Sequence, residues 1–367
     1  MGQHKLHLLR IPRVCRRGRV PAFFLCAFLL LTPAAMAAGA APNDRPAAAA
    51  GSVAGLSAWI ADWDLERGMA EWRSHPGLFD AVRIFAAYFD EKDRPYLAPA
   101  WAALFGGDVR RVFGNTPVYL TVVNDLTTIS GKNNRLKDPQ LVRRLLADPA
   151  ARAAHIEALI ALTRRNGFSG LEIDYENIEA EVWPQFLAFV ATLHQRTQRE
   201  GLALSVLLQP QARYLGSPLP QGPQYVLMGY NLFGSHSGPG PKATPEFLAQ
   251  QAQSLRAIGA LDATALALAT GGYDWTGPKA AAQIDEAAAA TLLARAQAAS
   301  RRSAPDGYLV SRYRDNAGAS HEIWYADAQT LTTLWQAAHD AGFSRLVVWR
   351  LGGNAPALFN WLQTLKH

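Results

Sequence analysis

Ser169-Gly170-Leu171-Glu172-Ile173-Asp174-Tyr175-Glu176 sets a carboxylate at every second position, with Leu171, Ile173 and Tyr175 between them. Alternate side chains of a strand point to opposite faces, so the three acids share one face and the apolar residues the other. Acids are depleted in strands, and a solvated edge strand would be flanked by hairpin turns. The flanks here read as helices instead. Upstream, Asp148 caps a helical stretch from Pro149 to Arg165 that stops at Asn166-Gly167. Downstream, Trp183 to Glu200 repeats the pattern and stops at Gly201. Helix, strand, helix implies a parallel strand, and acids at its C-terminal end stand where α/β barrels place their chemistry. Like charges at this spacing raise one another's pKa, which favours a carboxyl that keeps its proton at neutral pH, as a general acid must.

Working outward, seven more strand patterns recur between helical stretches: Leu56 to Ala61, Val82 to Phe89, Val118 to Val123, Leu202 to Leu208, Tyr225 to Tyr230, Ala265 to Ala269 and Leu346 to Trp349. With Leu171 to Tyr175 as the fourth, they make eight, each with polar or aromatic residues at its C-terminal end. That pattern predicts an α/β fold, a (β/α)8 TIM barrel. An open doubly wound sheet would call for a Gly-rich phosphate turn after the first strand, and the sequence has none there. The gap between strands seven and eight is too long for one helix. It predicts a small α+β insertion at about 276–325, with a helix from Ala280 to Ala299 and a hairpin of Tyr308 to Tyr313 and Glu322 to Tyr325 about the turn Asp315-Asn316-Ala317-Gly318.

The chain has 367 residues and a formal charge of +6. Residues 1–37 read as a secretion signal: Lys5, Arg10, Arg13, Arg16, Arg17 and Arg19, an apolar run from Pro21 to Leu31, then Ala35-Met36-Ala37 as the cleavage site. Retention as an N-terminal membrane anchor is the alternative. The six basic residues and no acid of this segment account for the whole charge, so the mature chain is near neutral and offers no electrostatic case for nucleic acid. Cys15 and Cys26, both in the signal, are the chain's only cysteines, so the mature chain has no thiol or Cys-based metal site. The nine His show no metal spacing, and no metal, cofactor or membrane contact is expected after cleavage. Residues 38–52 read as a flexible leader and 53–367 as one catalytic barrel; oligomeric state is not legible.

Ser169 to Glu176 resembles the signature strand of the family 18 glycoside hydrolases, commonly Asp-Gly-x-Asp-x-Asp-x-Glu. Gly170, Asp174 and Glu176 match, while Ser169 and Glu172 stand where the family has Asp. Met228-Gly229-Tyr230-Asn231 resembles the family's sixth-strand Met-x-Tyr-Asp, with Asn231 in place of Asp. His321-Glu322-Ile323-Trp324-Tyr325-Ala326-Asp327-Ala328 and Trp349-Arg350-Leu351-Gly352-Gly353 resemble bacterial cortex-lytic N-acetylglucosaminidases. The resemblance runs from about Leu56 to the C-terminus and is strongest at the fourth strand.

This resemblance implies an exported, retaining hydrolase of β-linked N-acetylglucosamine glycans, with peptidoglycan-like chains first and chitin-like chains or an exopolysaccharide close behind. Glu176 would be the general acid and then base. Asp174 would orient the substrate's acetamido group, whose own oxygen attacks the anomeric carbon, and Tyr230 would hydrogen-bond that acetyl carbonyl. Trp349 would form the floor under the sugar. Gln209, Met228, Asn231 and Tyr273 are expected to bind substrate, and Trp63 and Trp275 to stack further sugars. Glu172, also expected at the substrate site, lies deeper in the barrel, where it either shares a proton with Asp174 or is a buried acid paired with another strand. The rival class is a non-catalytic glycan-binding lectin of the cell envelope; a structural wall protein is a third.

Overall fold

The computed structural model describes residues 52–127, 134–210, 217–277 and 280–366. The expected signal, and the leader up to residue 51, lie outside them. Among the described residues no helix is long and apolar enough to cross a membrane.

Eight parallel strands form the barrel: β1 Gly55–Ala61, β2 Ala81–Phe89, β3 Val118–Leu126, β4 Gly170–Asp174, β5 Ala203–Leu208, β6 Gln224–Met228, β7 Thr264–Ala269 and β8 Arg345–Trp349. Each pairs in parallel with its neighbour in sequence, and β8 returns to β1, which closes the sheet. All eight fall where the hydrophobic pattern predicts, to within a few residues at the ends. Closure leaves no edge apart from a short antiparallel strand, Pro95–Leu97, on the distal end of β2.

The helices flanking β4 form for the reasons legible in their sequence. The Asp148 side chain accepts from the Ala151 N–H, Pro149 occupies the first turn, and Pro149–Arg165 ends before Gly167, whose φ is +72°. The second helix is Trp183–Arg199, followed by Gly201 with φ +68°. Their inner faces receive the apolar side of β4. Tyr175 is 3% exposed and stacks on Phe189 and His155, whose Nε2 lies 2.8 Å from the Tyr175 hydroxyl. Gly170 opens β4 because a Cβ there would meet the Tyr119 ring at 2.7 Å and the Ala203 carbonyl at 3.0 Å.

The insertion departs from expectation in one element. It is a five-stranded antiparallel sheet that starts at Gly271, ahead of the expected edge at 276, and it contains the predicted hairpin as Leu309–Arg314 and Ser320–Ala326. Ala280–Ile284, expected to begin a helix, is instead a strand paired with Gly271–Gly277, and the helix is Glu286–Ala296. Alanine favours helix, but the free edge of Gly271–Gly277 satisfies this segment's backbone. Asp285 then caps the helix by accepting from the Ala288 N–H.

Candidate active site

The inward face of β4 divides its acids between two layers. Glu172 is fully buried in the barrel interior. Its carboxylate accepts from Trp59 Nε1 at 2.8 Å, the Thr121 hydroxyl at 2.7 Å and the Ser205 hydroxyl at 3.0 Å, and it forms a close ion pair with Arg83. These partners come from β1, β3, β5 and β2. Of its two expected roles, Glu172 takes the second, as a buried acid paired with another strand. It lies beneath the cleft and has no surface to offer a substrate.

One layer up, Asp174 and Glu176 line a cavity of about 750 Å³ at the C-terminal mouth of the barrel, together with Met228, Tyr230, Asn231, Tyr273 and Trp349. Glu176 lies just past the strand, and Asn124 at the end of β3 fixes it there: Glu176 N donates to Asn124 Oδ1 at 2.9 Å, and Asn124 Nδ2 donates to the Glu176 carbonyl at 3.0 Å. Gln209, from the end of β5, donates from Nε2 to Glu176 Oε2 at 2.8 Å while its Oε1 accepts from Asn177 N at 2.9 Å. Gln209 therefore positions the carboxylate instead of walling the cavity.

Tyr230 is buried and lies parallel to Trp349 at 6.3 Å between centroids. Burial, with Asp174 and Glu176 nearby, holds its hydroxyl well above the usual range, so it stays a neutral donor. Trp349 is propped edge-on by Trp59 at 5.5 Å and Phe85 at 5.3 Å, leaving a flat indole in the floor. Trp63, 55% exposed, stands at the rim against both Phe85 and Trp349. Trp275 does not join it: it is 2% exposed, and its Nε1 donates to the Ser237 carbonyl. It shares a face of the Gly271–Gly277 strand with Tyr273, 5.5 Å between ring centroids, and lies against the loop that carries Ser237.

Sequence reasoning missed Lys137. Its ammonium lies 2.8 Å from Glu176 Oε1 and 3.1 Å from Asp174 Oδ2, linking the two carboxylates. It belongs to a loop with no periodic pattern and reaches the site only through the fold. Asp62 and Asp125, legible in sequence only as polar strand ends, also face the cavity. Burial raises the pKa of both, although Tyr88 donates to Asp62 at 2.6 Å and Lys137 N donates to Asp125 Oδ1 at 2.7 Å.

Burial likewise pushes Asp174 up to about 7, with Glu176 adding to the rise and Lys137 opposing it. The sequence pattern anticipates a raised carboxyl, but the larger cause is desolvation and not repulsion along the strand. Burial alone would lower the Lys137 pKa; the charges of Asp174, Glu176 and Asp125 outweigh it and hold the ammonium protonated. Among the described residues no group of three or more His, Cys, Asp and Glu is placed to hold a metal ion.

The barrel superposes on the spore cortex-lytic enzyme SleL of Bacillus cereus with a TM-score of 0.72 at 16% identity, over 87% of this chain and 75% of that one. It superposes equally on a class V chitinase from Nicotiana tobaccum solved in complex with NAG4, with a TM-score of 0.70 at 14% identity, over 86% of this chain and 99% of that one. The fold is that of the class V chitinases, family 18 of the glycoside hydrolases. By sequence, the chain is 26% identical over 250 residues to YdhD of Bacillus subtilis, a sporulation-specific glycosylase by provisional assignment. That match takes in 62% of this chain, which spans 58% of the relative's length. No family model matches the chain. The fold anticipated from the signature strand is therefore the fold observed.

Proposed function

We propose that this chain is a glycoside hydrolase that cleaves β-linked N-acetylglucosamine glycans with retention, using the substrate's acetamido group as nucleophile. One observation carries the reading. Asp174 Oδ1 is buried at the cavity with no hydrogen-bond partner, while its other oxygen is held by Lys137. A buried acceptor left unmade is costly, and an acetamido N–H placed over Trp349 would satisfy it.

In this mechanism Glu176 gives its proton to the glycosidic oxygen as the bond from that oxygen to the anomeric carbon breaks. The acetyl oxygen, held by the Tyr230 hydroxyl, bonds to the same carbon and forms an oxazolinium ion. Asp174 accepts from the ring N–H and supports its positive charge. Water then adds to the anomeric carbon, reopens the ring, and passes a proton to Glu176. Holding the internal nucleophile in line can contribute up to ~7–11 kcal/mol. The names of the similar proteins, cortex-lytic enzymes and chitinases, support peptidoglycan-like and chitin-like chains as substrates.

Incubating the purified chain with peptidoglycan, chitin oligomers and poly-N-acetylglucosamine, with products identified by mass spectrometry, tests the reading. Glu176→Gln should cut turnover by ~10² to 10⁴, the usual worth of acid–base help, while leaving glycan binding intact. A second reading, a glycan-binding lectin, draws on the engagement of both Glu176 oxygens by Lys137 and Gln209. Equal and negligible turnover by wild type and variant, with binding retained, would establish it. We infer further that the chain is exported; N-terminal sequencing of the exported protein should begin near Ala38, and an intact N-terminus in the membrane pellet would show an anchor instead.

A further inference from the structure

The active-site cleft does not end at its aromatic floor. A smaller cavity, of about 240 Å³, shares Trp63, Gln283 and Trp349 with it, and a third, of about 720 Å³, adjoins the second at Arg67. The three lie in series, from the carboxylates of the barrel mouth to the helix Glu286–Ala296 of the insertion. The proposed cleavage makes no use of the outer two.

Their walls differ in chemistry from the cleft. Four guanidiniums line them: Arg67, Arg350, Arg295 and Arg314. The inner two are largely matched. Arg67 donates to both oxygens of Asp64, at 2.6 and 2.7 Å, and to Asp285 at 2.8 Å. Arg350 gives both Nη1 hydrogens away, to Asp64 and to the Leu351 carbonyl, so its Nε and Nη2 keep three N–H bonds with no acceptor among the described residues. The outer two are not matched. Arg314 makes one bond, from Nη1 to the Gly318 carbonyl at 2.9 Å, and Arg295 has no hydrogen-bond or ion-pair partner among the described residues. Asp315, the carboxylate in the same wall, accepts from the Ala317 and Ala319 N–H groups. Positive charge is therefore in excess in the largest part of the groove. Guanidiniums placed this way favour carboxylates, which they can bind through two parallel bonds.

We propose that this groove is a second substrate site, which binds an acidic peptide branch carried by the glycan chain. The proposal rests on the hydrolase reading above and selects, among its substrates, chains whose sugars bear such a branch. A substituent of a sugar on Trp349 meets the small cavity first, which has room for a link and not for a further stretch of chain. The large cavity then takes the carboxylates of the branch on Arg295 and Arg314. Its remaining wall suits a peptide better than a sugar. The helix presents Ala287, Ala288 and Leu292 there, a small aliphatic surface. Sugars bind on open aromatic faces, and the Tyr313 ring in this wall is already stacked on His321, 4.5 Å between centroids.

The test compares three soluble substrates of equal sugar length: an N-acetylglucosamine-containing tetrasaccharide with acidic peptide branches, the same tetrasaccharide with its peptide carboxylates amidated, and the bare N-acetylglucosamine tetramer. kcat/KM should favour the acidic form over the amidated one by roughly fivefold or more, the worth of two exposed ion pairs. The advantage should lie in KM and shrink as salt is raised. Arg295→Gln combined with Arg314→Gln should abolish it, and lysine at both positions, which keeps the charge, should restore most of it. Equal kcat/KM on the acidic and amidated forms overturns the proposal. So does a double variant that keeps the advantage, or one that loses rate on all three substrates alike. Cleavage of the bare tetramer without cleavage of either branched form leaves the hydrolase reading standing and sinks this one. If wild type cleaves none of the three, the hydrolase reading has failed separately, and calorimetry on the same substrates decides: tighter binding of the acidic form upholds the groove, and equal binding of the two branched forms refutes it.

Discussion

Glu172 and Asp174 are the same chemistry two positions apart on one face of β4, and their surroundings separate them. Glu172 has three hydrogen-bond donors and a guanidinium. Asp174 has one partner and an orphaned oxygen. A carboxyl whose folded pKa is about 7, against an ordinary value near 4, binds its proton more tightly folded than unfolded. The sign follows: native stability is undiminished below about pH 4, falls as the pH rises, and the penalty is complete above about pH 7. Asp174→Asn removes the titration. Urea unfolding at pH 4 and pH 8 should show the variant gaining on wild type by an amount on the order of a few kcal/mol between the two. A flat difference would mean that Lys137 fully offsets the burial of this acid. The raised pKa was legible in the spacing of the acids, its cause was not, and Lys137 had no signal at all, because a single lysine in an aperiodic loop looks the same whether it faces solvent or a catalytic cleft.

Elements were legible wherever local chemistry and tertiary demand agree. Asp148, Pro149 and Gly167 bound a helix whose ends the caps alone determine. Barrel strands are buried on both faces, so their apolar runs stand out against polar C-terminal ends. Ala280–Ile284 is the opposite case. Its alanines prefer helix, yet the open side of Gly271–Gly277 offers them an antiparallel ladder along one edge. Propensity differences of a few tenths of a kcal/mol per residue give way to such pairing. The same strand carries a buried Trp275 and a Tyr273 that reaches the cleft; two positions apart they share one face, and the loop that carries Ser237, against the Trp275 indole, makes the difference.

At the scale of the whole molecule, closure of the barrel brings Trp59, Arg83, Thr121 and Ser205, from four strands, onto one carboxylate. A buried ion pair broken on one side strands the other charge, at a cost of about 3–5 kcal/mol, whereas replacing both partners by apolar groups of similar volume is often close to neutral. Glu172→Leu should therefore lose about that much stability by urea unfolding, and Arg83→Met combined with Glu172→Leu should recover most of it. A single-variant loss below about 1 kcal/mol would show that water reaches Arg83. By itself the sequence determined the number and order of strands, the parallel barrel they form and the two acids at its mouth, because hydrophobic period, caps and alternation are local properties of the chain. Only the tertiary structure decided which acid is structural and which meets the cavity, that Gln209 holds Glu176, and that Lys137 lies between Asp174 and Glu176. Those facts depend on residues far apart in sequence meeting where the barrel closes, and on the water that closure removes.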